Sequence, residues 1–167
     1  MMVDIAEIYH QVMAAYQPAC RYLQDCQMDG QSISGQLAVH GCHYLDPACS
    51  KTHLYASESV VIYEQMLSVY LADFFVNKRG LMSLEVFLEQ VLEQRLFASK
   101  IDMRFKGQIE NPEFSGRLDS ELRSDRRGRY TFVKTLTLDA GRHQIIAHLG
   151  VDLRGLDPQL APQGDPS

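Results

Sequence analysis

The start of the chain shows a helical pattern of apolar residues. Apolar side chains recur every three or four positions, at Ile5, Ile8, Val12 and Tyr16. Asp4 stands where an N-cap is favoured, and Pro18 cannot continue a helix. We predict an amphipathic helix from Asp4 to Tyr16.

An extended pattern follows and is interrupted by a turn signal. Residues 21–28 and 32–39 flank the dipeptide Asp29-Gly30, and glycine accepts the positive φ that a tight hairpin turn requires. We therefore predict a β-hairpin. Residues 41–53 are irregular and polar, which predicts a long loop.

The stretch from Ala56 to Val76 predicts a helix that is apolar around most of its circumference and ends at a glycine, Gly80. At about 100° per residue, its polar side chains fall within one sector of roughly 120°. This polar stripe consists of Ser57, Glu58, Glu64, Gln65 and Ser68. A solvated helix face more often carries lysine or arginine as well, and the stripe has neither. We interpret the stripe as the chief sign of a functional site.

Beyond this helix the period of the apolar residues changes to two. A short helix is predicted from Ser83 to Val91, with Ser83 as its N-cap. Strands are then predicted at residues 99–105, 114–122, 129–138 and 143–153. In the first of these strands, the residues expected to face inward are Ile101, Met103 and Phe105.

The resulting order of elements is helix, hairpin, long buried helix, short helix and four long antiparallel strands, which predicts the α+β class. The chain has 167 residues, and residues 1–155 are expected to form a single domain. Residues 156–167 hold three prolines and little apolar material, which predicts a flexible tail.

Composition and charge narrow the class of function. The chain is 46% hydrophobic and 22% charged, which excludes a disordered chain. Its net charge of −5 argues against a general nucleic-acid binder. We expect no secretory signal and no membrane span, and the spacing of the four cysteines favours reduced thiols. These features predict a cytoplasmic protein.

Several short motifs resemble one enzyme family. They are Cys20-Arg21-Tyr22-Leu23, Gly35 with Tyr44 downstream, the run from His53 to Glu58, Tyr63-Glu64-Gln65-Met66, Arg104-Phe105-Lys106 and the run from Phe114 to Leu118. Together, over roughly residues 15–153, they resemble the long-chain fatty acyl thioesterases of actinobacteria, the FcoT-like branch of the hot-dog superfamily. The resemblance implies a hot-dog fold, in which an antiparallel sheet wraps around a long central helix. It also implies a homodimer or a dimer of dimers, acyl-thioester tunnels along the dimer interface, and no metal or cofactor.

Three of the family's motif positions carry over directly. By the resemblance, the family's loop tyrosine falls on Tyr44, the tyrosine before the first strand on Tyr16, and the glutamate at the helix start on Glu58.

Other positions depart from the family pattern. Where the family has Asn-x-x-Glu at the helix start, this chain has Tyr55-Ala56-Ser57-Glu58. The family's Asn-Gln within the helix is Glu64-Gln65 here, and its following tyrosine falls on Ser68. The chain therefore loses two amides and gains a carboxylate, which bears on the identity of the reaction more than on the fold.

The two carboxylates of the polar stripe are the candidate general bases. A carboxylate held partly out of water has a raised pKa and can activate water on a thioester carbonyl, or take a proton from the acyl chain. We expect Glu58 to be the base, beside first-turn amides that would form an oxyanion hole, with Glu64 as the second choice. Glu64, about 9 Å further along the helix axis, is expected to be the drier of the two.

The remaining candidates surround these carboxylates. Tyr44 is expected to donate a hydrogen bond to the same oxyanion, and Tyr55 and Ser57 complete the catalytic set at the helix start. The candidates for contact with substrate are Tyr16, Gln65, Met66, Ser68 and Phe74.

Two other clusters are given simpler interpretations. Cys42, His43, Cys49 and His53 lack the spacing of a standard zinc site, and we treat them as ordinary loop residues. The arginine-rich run 123–129 is most simply a solvated hairpin tip. Its alternative role is to contact coenzyme A phosphates or the acidic surface of an acyl carrier protein.

We predict an enzyme that hydrolyses thioesters of medium- or long-chain fatty acids with coenzyme A or an acyl carrier protein. The alternative reaction, in lipid or lipopeptide biosynthesis, is addition of an amine such as glycine to an unsaturated acyl-carrier thioester, or its dehydration or hydration. The alternative outside the enzymes is a non-catalytic acyl-binding module.

Overall fold

The computed structural model describes residues 2–40, 54–92 and 94–156. Helix α1 spans Ile5–Ala14, and the Asp4 side chain caps it by accepting the Ala6 N–H at 3.1 Å. A 3₁₀ turn, Pro18–Cys20, follows. The predicted first helix and its cap are therefore confirmed.

The hairpin is shorter than predicted on its first strand. Strands β1 (Gln27–Asp29) and β2 (Ser32–Ala38) pair across a two-residue turn in which Gly30 has φ +58°. The segment before β1 meets β2 through an isolated bridge, Leu23 to Leu37, and through the Asp25 side chain, which accepts the Gln36 N–H at 2.8 Å. Regular pairing does not extend from this bridge because the Tyr22 N–H donates to the Gln65 side chain of the central helix, and the Gln36 N–H donates to the Asp25 side chain instead of a backbone carbonyl.

The central helix, α2 (Ala56–Ala72), begins at the predicted residue and continues through one wide turn of π type, Asp73–Lys78. Gly80 follows with φ +58°, as the predicted glycine stop requires. Residues 56–78 form a helix that is long and apolar enough to cross a membrane, judged by length and composition alone. However, 83% of its most apolar 18-residue stretch is buried inside the protein. They form the core helix of this domain. Helix α3 (Leu84–Val86), capped by Ser83, continues as a second wide turn, Phe87–Leu92.

Within the described residues, six strands form one antiparallel sheet. The last four are β3 (Leu96–Phe105), β4 (Glu113–Arg126), β5 (Arg129–Leu138) and β6 (His143–Asp152), and the order in the sheet is β1-β2-β4-β5-β6-β3. Strand β4 continues past its predicted end at Leu122, because its pairing with β5 resumes after a register shift and reaches Arg126.

Helix α2 packs on one face of this sheet, and the contact forms the core. Alternate residues of β5 point at the helix and are buried, namely Tyr130, Phe132, Lys134, Leu136 and Leu138. The helix supplies Ile62, Met66 and Val69, each of which is fully buried. The α+β class predicted from the order of elements is confirmed.

Strand β3 corrects one prediction. Ile101 and Phe105 pair with Ala147 and His143 of β6, which are buried, so the alternation correctly assigns these side chains to the helix-facing side of the sheet. Ile101 is nevertheless 51% exposed and Phe105 47% exposed, so the prediction that they are buried is wrong. The reason is position, because β3 is the last strand of the sheet and lies at its edge.

The expected division into a domain of residues 1–155 and a tail of residues 156–167 stays a prediction, since residues 157–167 lie outside the described part of the chain.

Candidate functional site

An apolar cleft of about 360 Å³ lies between helix α2 and the edge strand β3. Its apolar wall consists of Val60, Leu67, Leu92, Leu96, Phe97, Ala98, Ile101 and Leu149. Its polar side chains are Tyr16, Tyr63, Glu64 and Ser68. Three of these four were predicted as site residues, and the tertiary structure brings them together in one place.

Glu64 is the carboxylate of this cleft. Glu64 is exposed to solvent, and it forms no ion pair within the described residues. The surrounding side chains nevertheless remove enough water to raise the pKa of Glu64 above its ordinary value of 4.5. An unpaired carboxylate with a raised pKa beside an apolar wall has the properties of a general base.

Tyr16 and Ser68 line the cleft next to Glu64. Burial raises the pKa of Tyr16, the nearby Ser68 hydroxyl opposes that shift, and the charge of Glu64 adds to it. The Ser68 hydroxyl donates to the backbone carbonyl of Glu64 at 2.7 Å, so its proton already has an acceptor within the protein.

Tyr63 was not among the predicted site residues, because it falls outside the polar stripe, on the apolar part of the helix circumference. Its ring lines the cleft and its side chain is only 5% exposed. Its hydroxyl is shielded from water and has no hydrogen-bond partner among the described residues. The signal in the sequence was its place beside Glu64, with Val60 and Leu67 one helical turn away on either side.

The other predicted base, Glu58, lies deeper than Glu64. Glu58 is 1% exposed, so the prediction that Glu64 is the drier carboxylate is wrong. Its Oε2 atom accepts the N–H of Tyr55 at 3.0 Å and the hydroxyl of Ser57 at 3.3 Å. These bonds fold the Glu58 side chain back over the start of the helix, where it acts as a cap. Tyr55, Ser57 and Glu58 are therefore together, but at the helix start rather than along the apolar cleft.

A second cleft, of about 450 Å³, lies beside the start of α2 and is lined by Tyr55, Phe105, Lys106 and His143, among others. Burial lowers the pKa of His143, which favours the neutral ring. Its Nε2 lies 3.1 Å from the Gly107 carbonyl and must donate there, which makes Nδ1 the acceptor. Nδ1 lies 3.1 Å from the Ser59 hydroxyl, whose single proton is shared between this nitrogen and the Tyr55 carbonyl at 3.2 Å. The contact between Ser59 and His143 ties the first turn of α2 to strand β6.

Three of the predicted substrate contacts lie inside the core rather than in the cleft. Gln65 is fully buried, where its side chain bonds to the backbone of residues 20–23. Met66 is fully buried, with its sulfur near Gly116 on the sheet. Phe74 stacks in a cluster of aromatic rings with Tyr70 and Phe132. Their predicted role in substrate binding stays a prediction, and the structure gives each a packing role.

Tyr44, the predicted oxyanion donor, lies outside the described residues. The same is true of Cys42, His43, Cys49 and His53. Within the run 123–129, Arg123 pairs with Glu121, Arg129 with Asp152 and Asp125 with Arg79. These pairs are typical of a solvated hairpin tip.

Comparison with known proteins gives a consistent result. Residues 11–140 match the family model of the FcoT-like thioesterase domain. No curated protein matches the sequence significantly.

Solved structures agree with the fold. A mutant thioesterase from Pseudomonas aeruginosa is similar with a TM-score of 0.54 and 12% identity, over 90% of this chain and 93% of that one. The PaaI protein from the phenylacetic acid degradation operon of Escherichia coli is similar with a TM-score of 0.52 and 8% identity, over 93% of this chain and 98% of that one. At these identities the likeness shows the fold, which is the α+β hot-dog fold.

Proposed function

The chain belongs to the FcoT-like thioesterase family, and we propose that it hydrolyses fatty acyl thioesters in the cleft between α2 and β3. The observation that carries this proposal is the position of Glu64, an unpaired carboxylate with a raised pKa in a cleft whose wall is otherwise mostly apolar. The apolar wall suits an acyl chain, and the carboxylate suits activation of water beside it.

Glu64 rather than Glu58 is the base in this proposal. The Glu64 carboxylate takes a proton from water, and the water oxygen forms a bond to the thioester carbonyl carbon. The C–S bond breaks as the tetrahedral intermediate collapses, and the proton passes from Glu64 to the departing thiolate. The products are a fatty acid and a free thiol, and the cycle uses no cofactor.

The proposed substrate is a medium- or long-chain acyl thioester of coenzyme A or an acyl carrier protein. Because such thioesters occur in the cytoplasm, the proposed location of the protein is the cytoplasm. Each methylene removed from water contributes about 0.8 kcal/mol, so a longer chain gains affinity from the apolar wall. The side chains available for this contact are Val60, Leu67, Leu92, Ile101 and Leu149.

A second copy of the chain is the proposed partner. On one side of β3, no other strand of the described part of the chain pairs with its backbone hydrogen-bonding groups. Phe97, Ile101 and Phe105 along it are 56%, 51% and 47% exposed. An edge of this kind is covered when another strand pairs with it. The cleft opens beside the same strand, so a dimer formed there closes the open side of the site.

The test compares two carboxylate variants. We expect Glu64→Gln to lower kcat for lauroyl-CoA by about 10²-fold or more, the usual size of a general-base contribution. Because the base must be ionised, kcat/KM of the natural protein should rise with pH through the pKa of Glu64, above the ordinary carboxyl value. Glu64→Gln should lose this acid limb of the profile.

Glu58→Gln serves as the comparison. It weakens the helix cap and should lower the melting temperature while kcat changes by less than about tenfold. Glu85→Gln, an exposed carboxylate on α3, is the matched control. If Glu58→Gln abolishes turnover and Glu64→Gln does not, the base is Glu58. If the natural protein binds lauroyl-CoA without turnover, the acyl-binding alternative is the better account.

A second function is favoured by one observation, the carboxylate at position 64 where the resembled family has an amide. The same carboxylate could take a proton from the ammonium group of glycine, whose nitrogen then bonds to an α,β-unsaturated acyl thioester. The proton ends on the carbon next to the carbonyl, so atoms balance without a cofactor. Incubation with crotonyl-CoA and glycine, followed by mass spectrometry, separates the adduct from the hydrolysis product.

A further inference from the structure

We infer that the Tyr63 hydroxyl is a further catalytic group, which donates a hydrogen bond to the carbonyl oxygen of the thioester. The inference deepens the proposed function and rests on it. It assigns a role to a residue that the sequence placed among the apolar side chains of the helix.

The first observation is an unused donor. Tyr63 is 95% buried, since its side chain is only 5% exposed. Its hydroxyl is shielded from water and has no hydrogen-bond partner among the described residues. Buried hydroxyls without partners are uncommon in native proteins because the lost hydrogen bonds to water are not replaced. Such a group calls for a partner that is present only when the protein is at work.

The second observation is the location of the ring. Tyr63 lines the same cleft as Glu64. It lies three residues after Val60 and four before Leu67, so Val60, Tyr63 and Leu67 share one face of the helix. The charge of Glu64 contributes to the raised pKa of Tyr63, so the two groups are near enough to interact. An acyl thioester positioned for attack beside Glu64 therefore lies against the wall that contains Tyr63.

The third observation concerns the other hydroxyls of the cleft. The Ser68 hydroxyl donates its proton to the Glu64 carbonyl, and the Tyr16 hydroxyl lies close enough to Ser68 to interact with it. Among the described hydroxyls of the cleft, that of Tyr63 is the one that is buried and has no hydrogen-bond partner.

The protonation state of Tyr63 agrees with a donor role. Burial is the main cause that raises its pKa above the ordinary value of 10.0, and the negative charge of Glu64 adds to the shift. The phenol therefore keeps its proton across the working range of pH. A fixed neutral donor suits an oxygen on which negative charge develops as water adds to the carbonyl carbon.

The experiment is Tyr63→Phe, which removes the hydroxyl and keeps the ring. We expect kcat for lauroyl-CoA to fall by about 10²-fold, the usual effect of losing one oxyanion donor, with little change in KM. We also expect the melting temperature to stay the same or rise, because the hydroxyl removed has no partner. A role in structure alone would not produce a slower and equally stable enzyme.

Tyr9→Phe is the matched control. The Tyr9 hydroxyl lies 2.8 Å from each of the backbone carbonyls of Leu23 and Gln24, and Tyr9 is not among the residues that line the cleft. Its removal should lower the melting temperature and leave kcat unchanged. Tyr9→Phe is thus expected to lower the melting temperature but not kcat, whereas Tyr63→Phe is expected to lower kcat but not the melting temperature. This contrast distinguishes a hydroxyl that stabilises the fold from one that takes part in catalysis.

A binding measurement separates this inference from the proposed function. Two non-hydrolysable ligands are compared: a coenzyme A ketone analogue that keeps the carbonyl, and the matching alkyl thioether that lacks it. The natural protein should bind the ketone about tenfold more tightly than the thioether, and Tyr63→Phe should bind both equally. The inference is overturned if the natural protein and Tyr63→Phe prefer the ketone over the thioether to the same extent, or if Tyr63→Phe leaves kcat unchanged. Either result overturns it even if thioester hydrolysis is confirmed. If the natural protein turns over no thioester, the proposed function fails, and the two analogues still decide whether Tyr63 recognises a carbonyl.

Discussion

Lys134 occupies a position in the core that an apolar residue normally fills. It lies on β5 among the side chains that face α2 and is fully buried. Its Nζ donates to the Ser120 hydroxyl at 2.5 Å and lies 3.4 Å from the centre of the Tyr70 ring and 4.6 Å from that of Phe132. No carboxylate pairs with it within the described residues. Burial, with a smaller contribution from the charge of Lys78, lowers its pKa well below 10.5.

Folding therefore disfavours the protonated form of Lys134, so the stability of the folded protein depends on pH. Between the lowered pKa in the folded protein and 10.5 in the unfolded chain, the unfolded chain binds more protons. The contribution of Lys134 to stability is therefore least favourable below its folded pKa and improves as pH rises towards 10.5.

We predict that Lys134→Met stabilises the protein by about 2 kcal/mol near neutral pH, because a chain of similar volume replaces a buried amine. The stabilisation by Lys134→Met should decrease as pH rises from the lowered pKa of Lys134 towards 10.5. Urea unfolding at a series of pH values measures both effects. Lys100→Met, an exposed lysine of β3, is the control and should change stability by less than about 0.5 kcal/mol. A stabilisation independent of pH would contradict a lowered pKa for Lys134.

At the scale of elements, Gln65 joins the central helix to the segment that precedes β1. Its Oε1 accepts the N–H groups of Tyr22 at 3.1 Å and Leu23 at 3.0 Å, and its Nε2 donates to the Cys20 carbonyl at 2.6 Å. The side chain thus satisfies backbone groups that strand pairing leaves open. An amide is suited to this junction because it donates and accepts at the same end.

We predict that Gln65→Leu lowers the free energy of unfolding by about 2–3 kcal/mol, since it leaves the buried Leu23 N–H without a partner and removes one of the two hydrogen bonds at the Tyr22 N–H and at the Cys20 carbonyl. Thermal unfolding measures the loss. Gln11→Leu, on the exposed side of α1, is the control and should have an effect below about 0.5 kcal/mol. If Gln65→Leu is stable but binds acyl-CoA more weakly, Gln65 serves the substrate rather than the fold.

At the scale of the whole molecule, the exposed edge of β3 predicts a dimer. Pairing of two copies along this strand would cover Phe97, Ile101 and Phe105 and give partners to the backbone groups of the edge. The natural protein should therefore scatter light as a dimer or larger at micromolar concentration.

Ile101→Asp should shift this protein towards the monomer, because it places a charge in the middle of the apolar edge. Thr131→Asp, exposed on the interior strand β5, is the control and should leave the dimer intact. A natural protein that behaves as a monomer of 19.0 kDa would count against the dimer and against closure of the cleft by a second copy.

The sequence alone determined the elements and the family. Helical periods and caps predicted α1 and α2, and the period of two predicted the four long strands, because local patterns of apolar residues reflect which face of an element is buried. The polar stripe of α2 included Glu64 and Ser68, and the resemblance added Tyr16; all three line the cleft. These residues are recognisable because their types stand out against an otherwise apolar helix.

Only the tertiary structure decided which of these residues share a cleft. Helical spacing gives the angular position of Glu58 and Glu64 but not what covers them, and the cap at the helix start buries Glu58 while the edge of the sheet leaves Glu64 open. In the same way, alternation gave the face of Ile101, but its exposure depends on the place of β3 at the end of the sheet. The missing partner of the Tyr63 hydroxyl and the burial of Lys134 depend on contacts between residues distant in the chain, which no local pattern records.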